Sequence, residues 1–148
     1  MRILLQRVTD ARVEVCGEIV GRIGNGLVVF VGVGPADTQK TVEMMARKVA
    51  GLRVFSDAEG RPNLSVREID GDCLVVSQFT LFADCKKGRR PFYGGAAEPA
   101  IAEPLVGYFS SCLGALDVKV EKGVFGADMR VFLCNEGPIT VWLDSEEL

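Results

Sequence analysis

The sequence predicts an α+β fold: a mixed, mostly antiparallel sheet rolled into a barrel-like core, with two helices outside. Strand-like segments outnumber helical ones. Short turns containing Gly or Asn separate many of them. Only two stretches carry apolar residues at helical spacing. The 148 residues fit a single domain, 1–148, long enough to bury a real core. Apolar residues make up 48% and charged residues 25%, a globular balance.

Residues 2–15 carry Ile3, Leu5, Val8, Val13 and Val15 and read as one long strand, bent near Thr9-Asp10. Cys16-Gly17-Glu18 is a turn, and residues 18–23 a short return strand. Gly24-Asn25-Gly26 predicts a hairpin, because Asn-Gly supplies the positive φ angles such turns need. Residues 27–33 form a continuous apolar run, expected to be a central strand buried on both faces.

Gly34-Pro35 breaks that strand, and Asp37 or Thr38 can cap the next helix. Val42, Met45, Ala46, Val49 and Leu52 define one face of that amphipathic helix, which ends near Gly51. A short strand at 53–55 precedes a turn at 57–60, and residues 73–78 form another strand. Residues 83–97 read as a loop. A second helix is expected within 99–113, with Ile101, Leu105, Tyr108, Phe109, Cys112 and Leu116 near one face. Pro104 belongs in its first turn, since a helix-interior proline costs about 3 kcal/mol. Gly114 suits the C-terminal cap. Strands come next at 117–122, 129–135 and 138–144.

Several function classes fall away. A net charge of −3 argues against gripping nucleic acid through bulk charge, so any RNA contact must be local. Five widely spaced cysteines without Cys-x-x-Cys argue against a disulfide framework or a zinc site, and suit free thiols in a reducing cytoplasm. Neither a signal segment nor a run of roughly 18 apolar residues is present, so no membrane partner is expected. Gly32-Val33-Gly34-Pro35 lacks the third glycine of a dinucleotide fingerprint. The chain has no His, which removes the commonest general base and the Ser-His and Cys-His pairs. Neither a metal nor a cofactor is expected.

Three clusters remain. Lys86, Lys87, Arg89 and Arg90 sit together in an acidic chain. Alone, such a run is usually a solvated loop; as a site, it would clamp phosphates without reading sequence. Ser77-Gln78-Phe79-Thr80-Leu81 ends a strand with two hydroxyls and an amide around an aromatic. It reads either as a hydrogen-bonded strand end or as a polar pocket whose backbone N–H groups face an oxyanion. Asn135-Glu136-Gly137-Pro138 lies between two strands and alone reads as a turn. A cis Gly-Pro bond there would turn two carbonyl oxygens the same way, a rigid acceptor for an ammonium group.

Ser77-Gln78-Phe79-Thr80-Leu81 together with Asn135-Glu136-Gly137-Pro138-Ile139-Thr140 closely resembles the signature pair of the D-aminoacyl-tRNA deacylase family. Gln6-Arg7-Val8, Gly21-Arg22-Ile23-Gly24, Asn63-Leu64-Ser65, Lys87-Gly88-Arg89-Arg90-Pro91, Phe125-Gly126-Ala127-Asp128-Met129 and Trp142-Leu143-Asp144-Ser145 extend the likeness along nearly the whole chain. Ile139 stands where Val is commoner.

The resemblance implies a cytoplasmic homodimer that hydrolyses D-aminoacyl-tRNA. It implies that Gly137-Pro138 is cis, enters the partner's site and holds the substrate α-amino group as a chiral filter. Arg7 would hold that loop, and Ser77, Gln78, Phe79 and Thr80 would line the reacting end. Phe125 and Met129 would wall the terminal adenine, while Lys86, Lys87, Arg89 and Arg90 would meet the tRNA backbone. No DNA partner is implied, and some glycyl-tRNA hydrolysis is expected. Two rivals stand beside this reading: a covalent Thr80 or Ser77 esterase, and a non-enzymatic RNA-binding scaffold.

Overall fold

The computed structural model describes residues 1–148 and has the expected architecture, a nearly closed barrel-like mixed sheet with two helices outside. The main sheet contains β1 (Arg2–Val15), β2 (Glu18–Ile23), β3 (Gly26–Gly32), β6 (Asp72–Ser77), β7 (Lys119–Lys122) and β8 (Arg130–Asp144). β4 (Phe55–Ser56) and β5 (Pro62–Leu64) form a small separate ribbon. The helices are α1 (Gln39–Gly51) and α2 (Pro99–Gly114).

β1 organises the sheet. β8 runs antiparallel along one edge from Arg2↔Asp144 to Glu14↔Arg130. β2 and β3 share the other edge end to end, with Ala11↔Ile23 followed by Val8↔Gly26. Gly24-Asn25-Gly26 is therefore a break in one long edge, not a hairpin. The positive-φ turn lies instead at Cys16 (φ 52) and Gly17 (φ 85), joining Val15 to Glu18. Gly26 is needed for another reason: a Cβ there would overlap the Asp72 carbonyl of β6. β3 and β6 pair in parallel, as do β6 and β7. The curl brings β2 back to β7, where a Cβ on Gly21 would sit 2.7 Å from the Lys122 carbonyl.

β3 is buried on both faces, as its apolar run requires. Leu27, Val29 and Val31 join Ile3, Leu5, Met45, Phe109 and Leu113 in the core beneath the helices. Val28 joins Val8, Val13, Ile23, Leu74 and Val76 in a second core enclosed by the barrel.

α1 begins with a reciprocal cap between Thr38 and Thr41. It buries Val42, Met45, Ala46 and Val49, the face its spacing predicts. Asp37 instead accepts from the Met1 ammonium at 2.6 Å and the Gly34 N–H at 2.7 Å.

α2 departs from expectation. It starts at Pro99, so Pro104 lies in the helix interior rather than the first turn. Pro104 is exposed, so the Ala100 carbonyl it cannot bond can meet water. Ile101 is also exposed, while Ala102, Phe109, Ser110 and Leu113 are buried. Asp117 (φ 61), not Gly114, supplies the left-handed residue beyond the helix end. The N–H groups of Asp117 and Val118 then return to Gly114 and Leu113.

Candidate active site

The parallel strands β3 and β6 run side by side, and both end at the same place. β6 stops at Ser77, the Gln78 N–H donates to the Val31 carbonyl at 2.8 Å, and Phe79–Phe82 winds into a tight 3-10 turn. The Gln78 side-chain amide donates to the Thr80 hydroxyl oxygen. The first N–H groups of such a turn have no acceptor within it. Those of Phe79 and Thr80 find none elsewhere in the chain.

Beside this strand end opens a cavity of about 570 Å³. Ser77 and Gln78 form its polar side, with the Phe79 ring beside them. Val31, Val33, Ala97, Ala102, Val106 and Phe125 supply apolar wall. The Ala97 N–H holds the wall to the sheet by donating to the Val33 carbonyl at 2.8 Å. Phe92 and Tyr93 stand at the same cavity, and Phe79 meets Tyr93 edge-on at 5.1 Å between ring centroids. The sequence singles out Ser77, Gln78, Phe79 and Phe125, but not the aliphatic wall. Those small apolar residues look like ordinary core positions, and only the sheet's end leaves them facing a void.

Gly137 and Pro138 lie elsewhere, outside the lining of this cavity. They are not a turn between two paired strands, because β8 continues on both sides of them. Gln6↔Thr140 is followed by Val8↔Asn135, so residues 136–139 project from the ladder opposite Arg7. The Gly137-Pro138 bond is cis, and Gly137 has φ 122, which favours glycine.

Asn135 clamps the loop's neck: its side-chain oxygen accepts from the Ile139 N–H at 2.9 Å. Its amide donates to the Ile139 carbonyl and the Thr140 hydroxyl. Arg7 fastens the loop to the body. Its guanidinium donates to the Glu136 carbonyl at 3.2 Å and to the buried Val54 carbonyl at 2.7 Å. The Glu136 carboxylate lies 3.4 Å from the same group.

Met129 does not reach the cavity with Phe125. It packs across Gly123, close to Val13, at the barrel core. Lys86, Lys87, Arg89 and Arg90 occupy an exposed loop closed at its base by Asp84 and Phe92. The paired backbone hydrogen bonds there are 2.7 and 2.9 Å, and none of the four cations is in an ion pair.

Fold and site together define a small α+β protein with a largely apolar cavity beside a polar strand end. The family model for D-Tyr-tRNA(Tyr) deacylase matches residues 4–144. The D-aminoacyl-tRNA deacylase of Chloroflexus aurantiacus is 54% identical over the whole chain and 92% of its own length. That of Thermomicrobium roseum is also 54% identical, over the whole chain and 96% of its own length. A solved structure named c-Myc DNA Unwinding Element Binding Protein is similar at TM-score 0.91 and 38% identity, covering 97% of this chain and 98% of that one. The chain belongs to the D-aminoacyl-tRNA deacylase family, hydrolases that act on aminoacyl-tRNA. No helix is long and apolar enough to cross a membrane.

Proposed function

We propose that this chain hydrolyses the ester joining a D-amino acid, or glycine, to the 3′ end of tRNA, releasing the amino acid and free tRNA. The observation that carries this reading is the projecting loop with Gly137-Pro138 at its tip, fastened by Arg7 and Asn135 to the centre of the sheet.

The carbonyl oxygens of Gly137 and Pro138 accept from the substrate ammonium group. With amino and ester groups both fixed, D and L substrates exchange the positions of side chain and hydrogen. One of those directions runs into the Gly137-Pro138 backbone, so an L side chain is rejected whatever its chemistry. Glycine has no side chain to reject. The loop acts on the cavity of a second copy of the chain in a cytoplasmic homodimer. Its absence from the lining of its own subunit's cavity supports this arrangement.

At the reacting end, water adds to the ester carbonyl, and the free N–H groups of Phe79 and Thr80 hold the developing oxyanion. One such donor is worth about 10²–10³ in rate. Collapse breaks the bond to the ribose 3′ oxygen, which leaves with a proton. The adjacent 2′ hydroxyl relays that proton from the attacking water. Ser77 and Gln78 position the ester, Phe125 walls the terminal adenine, and Lys86, Lys87, Arg89 and Arg90 meet backbone phosphates. Thr80 accepts from an amide, which cannot act as its base, so it positions rather than attacks.

Incubation with D-tyrosyl-, L-tyrosyl- and glycyl-tRNA tests the reading directly. Cleavage of the D and glycyl esters with the L ester spared is expected. An intact D ester overturns the function, and equal D and L rates overturn the filter. Thr80→Ala should keep most of its turnover. A trapped aminoacyl-enzyme in the wild type, with no turnover in the variant, would establish covalent catalysis instead.

A further inference from the structure

Phe92 has no structural task that accounts for its position. It is 69% exposed, more than any other large hydrophobic residue in the chain. Its backbone is fixed by the two hydrogen bonds to Asp84 that close the basic loop. Its ring lies against Gly94, where a Cβ would overlap the ring tip. The ring is thus held over bare backbone and presented to solvent. It helps to line the cavity with Phe79 and Tyr93. Its backbone also closes the base of the loop of Lys86, Lys87, Arg89 and Arg90, all exposed and unpaired by acids.

An exposed aromatic beside a loop of unpaired cations is how proteins hold unpaired nucleotides: the ring stacks on a base and the cations track the phosphates. We propose, on the basis of the reading above, that Phe92 is a stacking platform for the base of the nucleotide preceding the terminal one. The terminal nucleoside occupies the cavity, and the linking phosphate faces the basic loop. Phe92 borders the cavity, so the next base along the chain is the one within reach. Stacking is indifferent to base identity, so the platform grips the single-stranded end of tRNA without reading sequence. Gly94 keeps the ring in place and is a positioning residue.

The test crosses protein and substrate changes. D-aminoacyl-tRNA is prepared intact and with an abasic penultimate nucleotide, and kcat/KM is measured for wild type, Phe92→Ala and Phe92→Trp. Phe92→Ala on intact tRNA should lose roughly 5- to 150-fold, the range for one base–aromatic stack. The wild type should lose a similar factor on abasic tRNA. Phe92→Ala on abasic tRNA should lose nothing further, and Phe92→Trp should remain close to wild type on intact tRNA. Additive losses, or no loss for Phe92→Ala on intact tRNA, overturn the platform while leaving the deacylase reading intact. A wild type that leaves the D ester uncut overturns the deacylase reading itself. Gly94→Ala, which displaces the ring without removing it, should reproduce the Phe92→Ala loss; wild-type kinetics for it would overturn the positioning role.

Discussion

Replacing Arg7 by Met would remove the guanidinium while keeping most of the apolar stem. Arg7 is only 9% exposed and bridges two segments far apart in sequence, Val54 and Glu136. The change strands the Val54 carbonyl in a buried setting and frees the Glu136 carbonyl at the root of the Gly137-Pro138 loop. A hydrogen bond from a charged donor is worth about 1.5–3 kcal/mol. The buried Val54 bond belongs near the top of that range, and the partly exposed Glu136 bond near the bottom. The half-exposed Glu136 carboxylate adds little. The sum is about 4 kcal/mol, or roughly 10 °C in Tm for a chain of this size. Thermal unfolding followed by circular dichroism reads the stability. D- and L-tyrosyl-tRNA turnover, measured well below the new Tm, reads the loop. Both a lower Tm and a weaker preference for the D ester are expected. An unchanged Tm would refute the reasoning about buried bonds. An unchanged D preference would refute the role of Arg7 in holding the loop.

Other perturbations separate the remaining interactions. Gly26→Ala forces a methyl group into the Asp72 carbonyl across the β3–β6 pair, and overpacking of this kind costs about 1–3 kcal/mol; urea unfolding should show it. Neutralising Lys86, Lys87, Arg89 and Arg90 together should flatten the dependence of log kcat/KM on log salt by up to about 3, at roughly 0.7 for each single-strand phosphate contact. Cys73 is held near pKa 12, first by burial and then by Asp72, and Tyr108 near 12, first by its hydrogen bond to Glu43. Both bind their protons more tightly folded than unfolded. Stability should therefore be unaffected by them below about pH 9 and fall as pH rises toward 12, as alkaline unfolding would record.

The legible parts of the fold are those set by local rules. α1 shows its buried face, its cap and its end through spacing alone, and β3 shows double burial through an unbroken apolar run. Expectation and structure part where distant backbone decides. Asn25-Gly26 has hairpin chemistry, yet β1 pairs with both flanking strands, and glycine serves the close approach of Asp72. The cost of a lost helix bond argues Pro104 toward the first turn, but its exposed position reduces that cost. At the site, Ser77 and Gln78 stand out because polar groups at a strand end are conspicuous, and Phe79 stands out as the aromatic they adjoin. Val33, Ala97 and Ala102 do not, since nothing local distinguishes a cavity wall from a core. Asn135 is visible within its motif, but its task is not, because it fastens the neck of a loop that sequence alone presents as a turn.

β8 leaves its partner after Asn135 and rejoins it at Thr140 with pairing resumed on both sides. The excursion thus stands outside the ladder, held to it by the side chains of Arg7 and Asn135. Residues added to or removed from its tip would leave both halves of the ladder aligned, as a stitch can be lengthened without moving the seam. A scaffold built this way leaves the tip, Gly137 and Pro138, free to change while the ladder on either side keeps its register.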